Sequence, residues 1–150
     1  MALTVGSLFA GIGGLDLGLE RAGFEIRWQV EIDPFARKVL EKHWPDVRRF
    51  EDVRQVGGLD LEPVDVIAGG FPCKQTSRAA AIFGRRVGLA GRDSGLWHEQ
   101  RRIIELLQPR IAIVENPDSE WLATVQGDLA GLGYRASRWP LTAASVGCLP

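Results

Sequence analysis

Short apolar runs of strand length alternate with helix-like stretches along the whole of this 150-residue chain, and that alternation constrains its fold more than any other feature. Leu3 to Phe9 reads as a strand, Ala10 to Gly14 as a glycine turn, and Leu15 to Arg21 as a helix. That helix sets Leu15, Leu19 and Ala22 on one face and stops at Gly23. Ile26 to Ile32 is a second strand. Asp33 and Pro34 are a cap and first-turn pair opening a helix to about His43, with Phe35, Ala36, Val39 and Leu40 facing the core. A short strand near Arg48 to Phe50 follows, and then a strong one from Val64 to Ala68 that runs on to Gly70. Leu96 to Leu107 is helical with Ile103, Ile104 and Leu107 inward, and Pro109 ends it. Ile111 to Val114 is a strand, Trp121 to Leu132 a helix stopped by Gly133, and Arg135 to Leu141 a candidate last strand. Strands apolar on both faces, each followed by a helix, predict an α/β fold with a doubly wound, mostly parallel sheet.

With 45% hydrophobic residues the chain can bury one core and is too short for two domains. It has no apolar run long enough to span a bilayer, and its first residues do not form a charged segment followed by an apolar one, so neither a membrane partner nor a secretion signal is expected. The two cysteines, Cys73 and Cys148, fit no metal-ligand spacing and suit a reducing compartment, so no metal is expected. A net charge of −1 does not by itself point to nucleic acid. The average hides a local bias. From Lys74 to Arg102 the cations Lys74, Arg78, Arg85, Arg86, Arg92, Arg101 and Arg102 face only Asp93 and Glu99. A charge run is commonly a solvated surface, but this one begins beside Cys73 and suits a polyanionic substrate.

The turn Phe9-Ala10-Gly11-Ile12-Gly13-Gly14 joins the first strand to the first helix. Glycines there allow close backbone approach to a ligand, and the helix N-terminus offers free N–H groups. Glu31, at the end of the second strand and 20 residues after Gly11, stands where doubly wound folds place an acid against ribose hydroxyls. Asp52, after the short strand, could accept a hydrogen bond from an adenine amino group or simply serve a turn. Nicotinamide dinucleotides and S-adenosylmethionine both suit these residues. Leu15 and Asp16 follow Gly14, so the loop is not G-x-G-x-x-G, which favours a small zwitterion over a pyrophosphate.

Gly69-Gly70-Phe71-Pro72-Cys73-Lys74 ends the strong strand with a turn and presents a thiol. A lone cysteine is commonly an inert core residue. At a strand's carboxyl end, with Lys74 and Arg78 close by to favour the thiolate, it reads as a nucleophile. Glu115-Asn116-Pro117 follows another strand, so Glu115 either caps the last helix or faces the same crevice as Cys73. A thiolate with a proton-donating acid suits covalent addition to an electron-poor ring.

Taken together these segments resemble the DNA cytosine-5 methyltransferases, collinearly over nearly the whole chain. The matching segments are Phe9 to Leu15, Glu31-Ile32-Asp33, Asp52-Val53-Arg54, Gly69 to Cys73, Arg92-Asp93-Ser94-Gly95-Leu96-Trp97 and Val114-Glu115-Asn116. The resemblance implies a Rossmann-like methyltransferase fold, with residues 1–150 as the cofactor-binding and catalytic half of the domain. It implies transfer of a methyl group from S-adenosylmethionine to C5 of a cytosine flipped from duplex DNA, through a covalent adduct at Cys73 with Glu115 acting on N3. Phe9, Gly11, Gly13, Glu31, Ile32, Asp52, Val53, Pro72 and Leu96 would line the cofactor site. Lys74, Gln75, Ser77, Arg78 and Asn116 would meet the DNA. A prokaryotic or phage cytoplasm and a restriction–modification setting follow from the same likeness.

Three departures stand out. Lys74 follows the cysteine where the family commonly has glutamine, which here is Gln75. Pro117 replaces a valine after Glu-Asn. Ser145 to Pro150 resembles the run before an arginine-rich motif, at which point the sequence ends. The expectation is therefore an N-terminal half without the target-recognition region and C-terminal motifs, poorly active alone or completed by a second chain. An impaired S-adenosylmethionine-binding module and an RNA cytosine methyltransferase are the rival readings. A nicotinamide oxidoreductase would leave Cys73 and Glu115 without a role.

Overall fold

The computed structural model describes residues 2–72, 95–117, 119–142 and 144–147. Cys73, Lys74, Gln75, Ser77 and Arg78 lie outside the described residues.

Five parallel strands form one sheet: β1 (Thr4–Leu8), β2 (Glu25–Val30), β3 (Arg48–Phe50), β4 (Val66–Gly70) and β5 (Ile111–Glu115). Their order is β3-β2-β1-β4-β5. The described helices are α1 (Gly14–Arg21), α2 (Pro34–His43), α3 (Leu96–Leu107) and α4 (Ser119–Gly131). From β1 the chain winds outward through β2 to β3, then returns to the other side of β1 for β4 and β5. The reversal lies between β1 and β4, and in doubly wound sheets ligands bind at the carboxyl ends of the strands beside such a point.

Residues 1–118 and 119–150 form two compact units. In the first, Val5, Ile26, Val66 and Ala68 make a buried cluster, with Leu19, Phe24, Val47 and Ile113 packed against it. These side chains come from the middle of four strands and the elements beside them, as expected for strands covered on both faces. Trp28 lies across β1, where a Cβ on Gly6 would fall 1.9 Å from its ring, and its indole N–H donates to the Glu62 carbonyl. Asp65 fastens the start of β1 to the approach to β4: it accepts from the Thr4 N–H at 2.9 Å, and its own N–H donates to the Thr4 hydroxyl at 3.0 Å.

The end signals in the sequence act as expected. Asp33 accepts from the Ala36 N–H at 2.9 Å ahead of Pro34. Gly23 and Gly133, at φ 89° and 90°, close α1 and α4 with paired C-terminal bonds: Gly23 N–H to Glu20 O and Phe24 N–H to Leu19 O, then Gly133 N–H to Ala130 O and Tyr134 N–H to Leu129 O.

Three readings are corrected. Leu15 and Ala22 are exposed, Leu19 is half-buried, and the fully buried residue of α1 is Asp16. Phe35 is 71% exposed, because Ala36 and Leu40 already fill the inner face of α2. Arg135 to Leu141 is irregular; Trp139 and Leu141 stand in solvent and Pro140 lacks the N–H that a ladder requires.

Candidate active site

β1 delivers the glycine turn to the reversal point. Phe9 has φ 54°, a left-handed conformation that a bulky aromatic residue adopts at a cost of roughly 1–3 kcal/mol and that concentrates at functional sites. Gly11 and Gly13 are also left-handed, at φ 55° and 87°. Ala10 N–H donates to Val30 O at 3.2 Å and Gly13 N–H to Ala10 O at 2.9 Å, so the turn is tied to β2 and to itself. A Cβ on Gly13 would strike the Trp44 ring at 2.4 Å, whereas one on Gly11 or Gly14 would meet nothing within 4 Å. Gly13 thus seats the turn on the protein, and Gly11 and Gly14 leave bare backbone open to a ligand.

The Glu31 carboxylate accepts from the Gly11 N–H at 2.7 Å and from the Asp33 N–H at 2.8 Å. It therefore joins the glycine turn to the start of α2, with lone pairs left for hydroxyl donors. Ile32 beside it is 61% exposed. Asp52 caps the short 3-10 turn Val53–Gln55 and takes a bidentate bond from the Arg54 guanidinium at 2.9 and 2.7 Å. Those bonds hold its carboxyl below the usual range. Val53 is buried, and its carbonyl accepts from Arg102 at 2.8 Å.

Parallel pairing sets Gly70 of β4 opposite Glu115 of β5. The contact is close: a Cβ on Gly70 would fall 2.5 Å from Glu115 Oε2. A cavity of about 160 Å³ opens between the strand ends, lined by Ser7, Leu8, Phe9, Ala10, Leu15, Gly70 and Glu115. It brings Phe9 and Glu115 together at the place where the chain leaves β4 for Phe71, Pro72 and Cys73. Asn116 turns back onto this segment, its side-chain amide donating to Phe71 O at 3.5 Å.

α3 supports both halves of the site, which the sequence did not disclose. Trp97 packs on Phe71 with ring centroids 5.8 Å apart. Gln100 donates to Gly69 O at 3.2 Å. Arg102 pairs with Glu99 at 2.8 Å and donates to Val53 O and Val56 O at 2.8 and 3.0 Å. This member of the basic run thus serves the fold. Leu96, half-buried, opens the helix.

A second unforeseen feature lies directly behind the cavity wall. Ser7 Oγ donates to Asp16 Oδ1 at 2.6 Å, and Gln29 Nε2 donates to Asp16 Oδ2 at 2.7 Å, all three side chains being essentially inaccessible. Burial raises the Asp16 carboxyl above its ordinary value, and the two donors oppose that rise. The available signal was the polar Ser7 among the apolar residues of β1 and the polar Gln29 between Trp28 and Val30 of β2.

The cavity, the bare glycine backbone and the carboxylate of Glu31 suit a nucleoside cofactor carrying a small polar tail. Among the described residues no group of three or more His, Cys, Asp or Glu could hold a metal ion, and no helix is long and apolar enough to cross a membrane.

The profile of the family described as C-5 cytosine-specific DNA methylase matches residues 3–144. The chain is 37% identical to the type II methyltransferase M.Eco47II of Escherichia coli, over 87% of this chain and 33% of that protein. It is 31% identical to M.Bsp6I of Bacillus sp., over 99% of this chain and 49% of the relative. M2.BsuMI of Bacillus subtilis is 36% identical over 72% of this chain and 25% of its own length. The chain therefore spans between a quarter and a half of these relatives. Among solved structures, one described as a DNA modification methyltransferase encoded within an E. coli prophage superposes with a TM-score of 0.64 at 26% identity, covering 87% of this chain and 38% of that one. DNMT2 of Spodoptera frugiperda shares the fold with the same score at 20% identity, over 87% of this chain and 40% of its own.

Proposed function

The chain belongs to the C-5 cytosine-specific DNA methylase family, and on that premise we propose that residues 1–150 hold the S-adenosylmethionine pocket and the catalytic loop of an enzyme that methylates C5 of cytosine in DNA. The observation that carries this reading is Glu115 held beside Gly70 at the mouth of the cavity, three residues before Cys73.

Glu31 receives the ribose hydroxyls, and Ile32 and the Asp52–Val53 segment flank the adenine. Phe9, Gly11 and Gly13 shape the wall around the tail, with Pro72 and Leu96 closing the site. When bound, S-adenosylmethionine supplies an electrophilic methyl group. Cys73 thiolate adds to C6 of the flipped cytosine while Glu115 donates a hydrogen bond or proton at N3, so that negative charge does not accumulate on the ring. The resulting nucleophilic C5 would take the methyl group as its bond to the sulfonium sulfur breaks and the neutral thioether leaves. A base would then remove the C5 proton, and the electron pair of that C–H bond would restore the double bond and expel Cys73 as the thiolate. Lys74, Gln75, Ser77, Arg78 and Asn116 contact the displaced strand and base. Such a protein works in the cytoplasm, in a prokaryotic or phage context, in keeping with its bacterial relatives.

Incubation of the protein with S-adenosylmethionine and duplex DNA containing 5-fluorocytosine tests the reading, because fluorine blocks proton loss and traps the adduct. A denaturation-resistant complex is expected, formed slowly by this chain alone and faster when a second chain completes the domain, and it disappears in Cys73→Ser. A complex that persists in that variant overturns the covalent role. Preferential trapping on 5-fluorocytosine-containing tRNA assigns the chemistry to RNA.

A further inference from the structure

The buried carboxylate behind the glycine turn has no part in the chemistry above, yet its charge state can be argued from its partners. Arg49 is a donor only, and its Nη1 lies 3.3 Å from Gln29 Oε1, which fixes the orientation of the Gln29 amide. The other end of that amide, an NH₂ group, therefore faces Asp16, and Ser7 supplies a second donor. Gln29 thus makes Oδ2 an acceptor, and the rotatable Ser7 hydroxyl can donate to Oδ1, so the two donors support the ionised form against the burial that raises the carboxyl. Asp16 is the third residue of α1 and sits in its first turn, beneath the turn that a ligand approaches. Ser7, its partner, is part of the cavity wall. A helix N-terminus ordinarily attracts anions, and here a fixed negative charge in the first turn offsets that attraction.

We infer that Asp16 sets the charge preference of the pocket, disfavouring a pyrophosphate-bearing dinucleotide at the glycine turn and favouring the sulfonium cofactor over its uncharged thioether. This inference rests on the S-adenosylmethionine reading. It makes Asp16 a specificity determinant that acts through space rather than by contact. It adds a charge argument to the preference of the glycine pattern for a small zwitterion over a pyrophosphate.

The experiment is calorimetric titration of the whole protein with S-adenosylmethionine, S-adenosylhomocysteine and NAD, comparing the parent with Asp16→Asn and Ser7→Ala. Asparagine is nearly isosteric: it removes the charge, keeps an acceptor for Gln29 and turns an NH₂ toward the Ser7 hydroxyl, which can rotate to accept it. The preference for the sulfonium over the thioether should fall about fivefold in Asp16→Asn, the order of effect of removing one unit charge beside a partly screened pocket. NAD binding should strengthen in the same variant. Ser7→Ala keeps the charge and should leave the ratio of the two affinities unchanged, even if both weaken. A merely structural role for Asp16 would weaken both ligands equally and leave the ratio alone, and that result overturns the inference. If Asp16→Asn does not fold, Asp16→Leu combined with Gln29→Leu replaces the buried polar pair with apolar volume, and the same fall in ratio is required of it. A parent that binds neither S-adenosylmethionine nor the thioether removes the cofactor reading itself. A parent that binds them, with a ratio unmoved by loss of the charge, removes the Asp16 inference alone.

Discussion

Two adjacent glycines separate the fold from the chemistry. A Cβ added to Gly70 would lie 2.5 Å from Glu115 Oε2, the mobile end of a side chain, and no nearer than 3.5 Å to anything else. Ordinary contact begins at 3.4 Å, so the carboxylate must retreat by about 0.9 Å. Gly70 has no left-handed backbone to strain, and alanine restricts the unfolded chain, a gain of about 0.4–1 kcal/mol that offsets the local crowding. Gly70→Ala should therefore melt within roughly 4 °C of the parent. A misplacement near 1 Å of a catalytic group costs on the order of 10²-fold in turnover. At Gly69 the added Cβ would instead lie 2.6 Å from the Leu8 carbonyl oxygen and 3.2 Å from Gln100 Nε2. A backbone oxygen in the β1–β4 ladder cannot swing aside, so Gly69→Ala should lose about 1–3 kcal/mol of stability. The assay is methyl transfer from labelled S-adenosylmethionine to duplex DNA, paired with thermal denaturation. The reasoning is refuted if folded Gly70→Ala retains turnover within about threefold of the parent, since Glu115 would then not need the position it holds.

Other expectations follow from the same contacts. Gly6→Ala drives a Cβ into the buried Trp28 ring and should cost about 1–3 kcal/mol or more in chemical denaturation, with Trp28→Val in the same chain recovering part of it. Arg102→Met removes the donors on Val53 O and Val56 O; it should weaken S-adenosylmethionine binding by about fivefold to tenfold, with a smaller effect on kcat at saturating cofactor, and an unchanged KM would contradict this. Asp65 is held below its ordinary value, chiefly by the Thr4 N–H. Its contribution is full above the unfolded carboxyl's value of about 3.9 and is lost as pH falls through the folded one, so Asp65→Asn should flatten the acid limb of the stability curve. Asp16 has the opposite sign. Its raised carboxyl favours the fold when protonated, and that contribution is lost as pH rises through its folded value, so the stability difference between Asp16→Asn and the parent should shift in favour of the variant from acid to neutral pH.

The order of elements was legible because parallel strands leave continuous apolar runs and because helix ends carry their own chemistry: Asp33 with Pro34, and Gly23 and Gly133 at the positive φ that closes a helix. The approach of Glu115 to the segment before Cys73 was legible for a related reason, since adjacent parallel strands present their carboxyl ends together. The burial of Asp16 was not. A helical pattern read from Leu15 and Leu19 turns Asp16 outward, and only the donors Ser7 and Gln29, on two strands that the local sequence does not place together, make its burial affordable. Phe35 and residues 135 to 141 failed for the converse reason: a strand or a core face needs a neighbour that the local sequence does not reveal.

Among the described contacts, α3 explains how a pocket assembled from distant segments keeps its geometry. Its first turn packs on Phe71, its middle bonds Gly69 O, and Arg102 bonds Val53 O and Val56 O, 49 and 46 residues away in sequence. These contacts fall on Trp97, Gln100 and Arg102, about 7.5 Å of helix, and fix the segment proposed to flank the adenine relative to the strand end that precedes Cys73. Methyl transfer requires the donor carbon and the activated C5 to meet within a few tenths of an ångström, a tolerance that loops held only at their own ends would not provide. A rigid helix bonded to both provides it. Disturbing the Arg102 contacts should therefore be felt first as weakened cofactor binding, and disturbing the Trp97–Phe71 contact first as slowed chemistry.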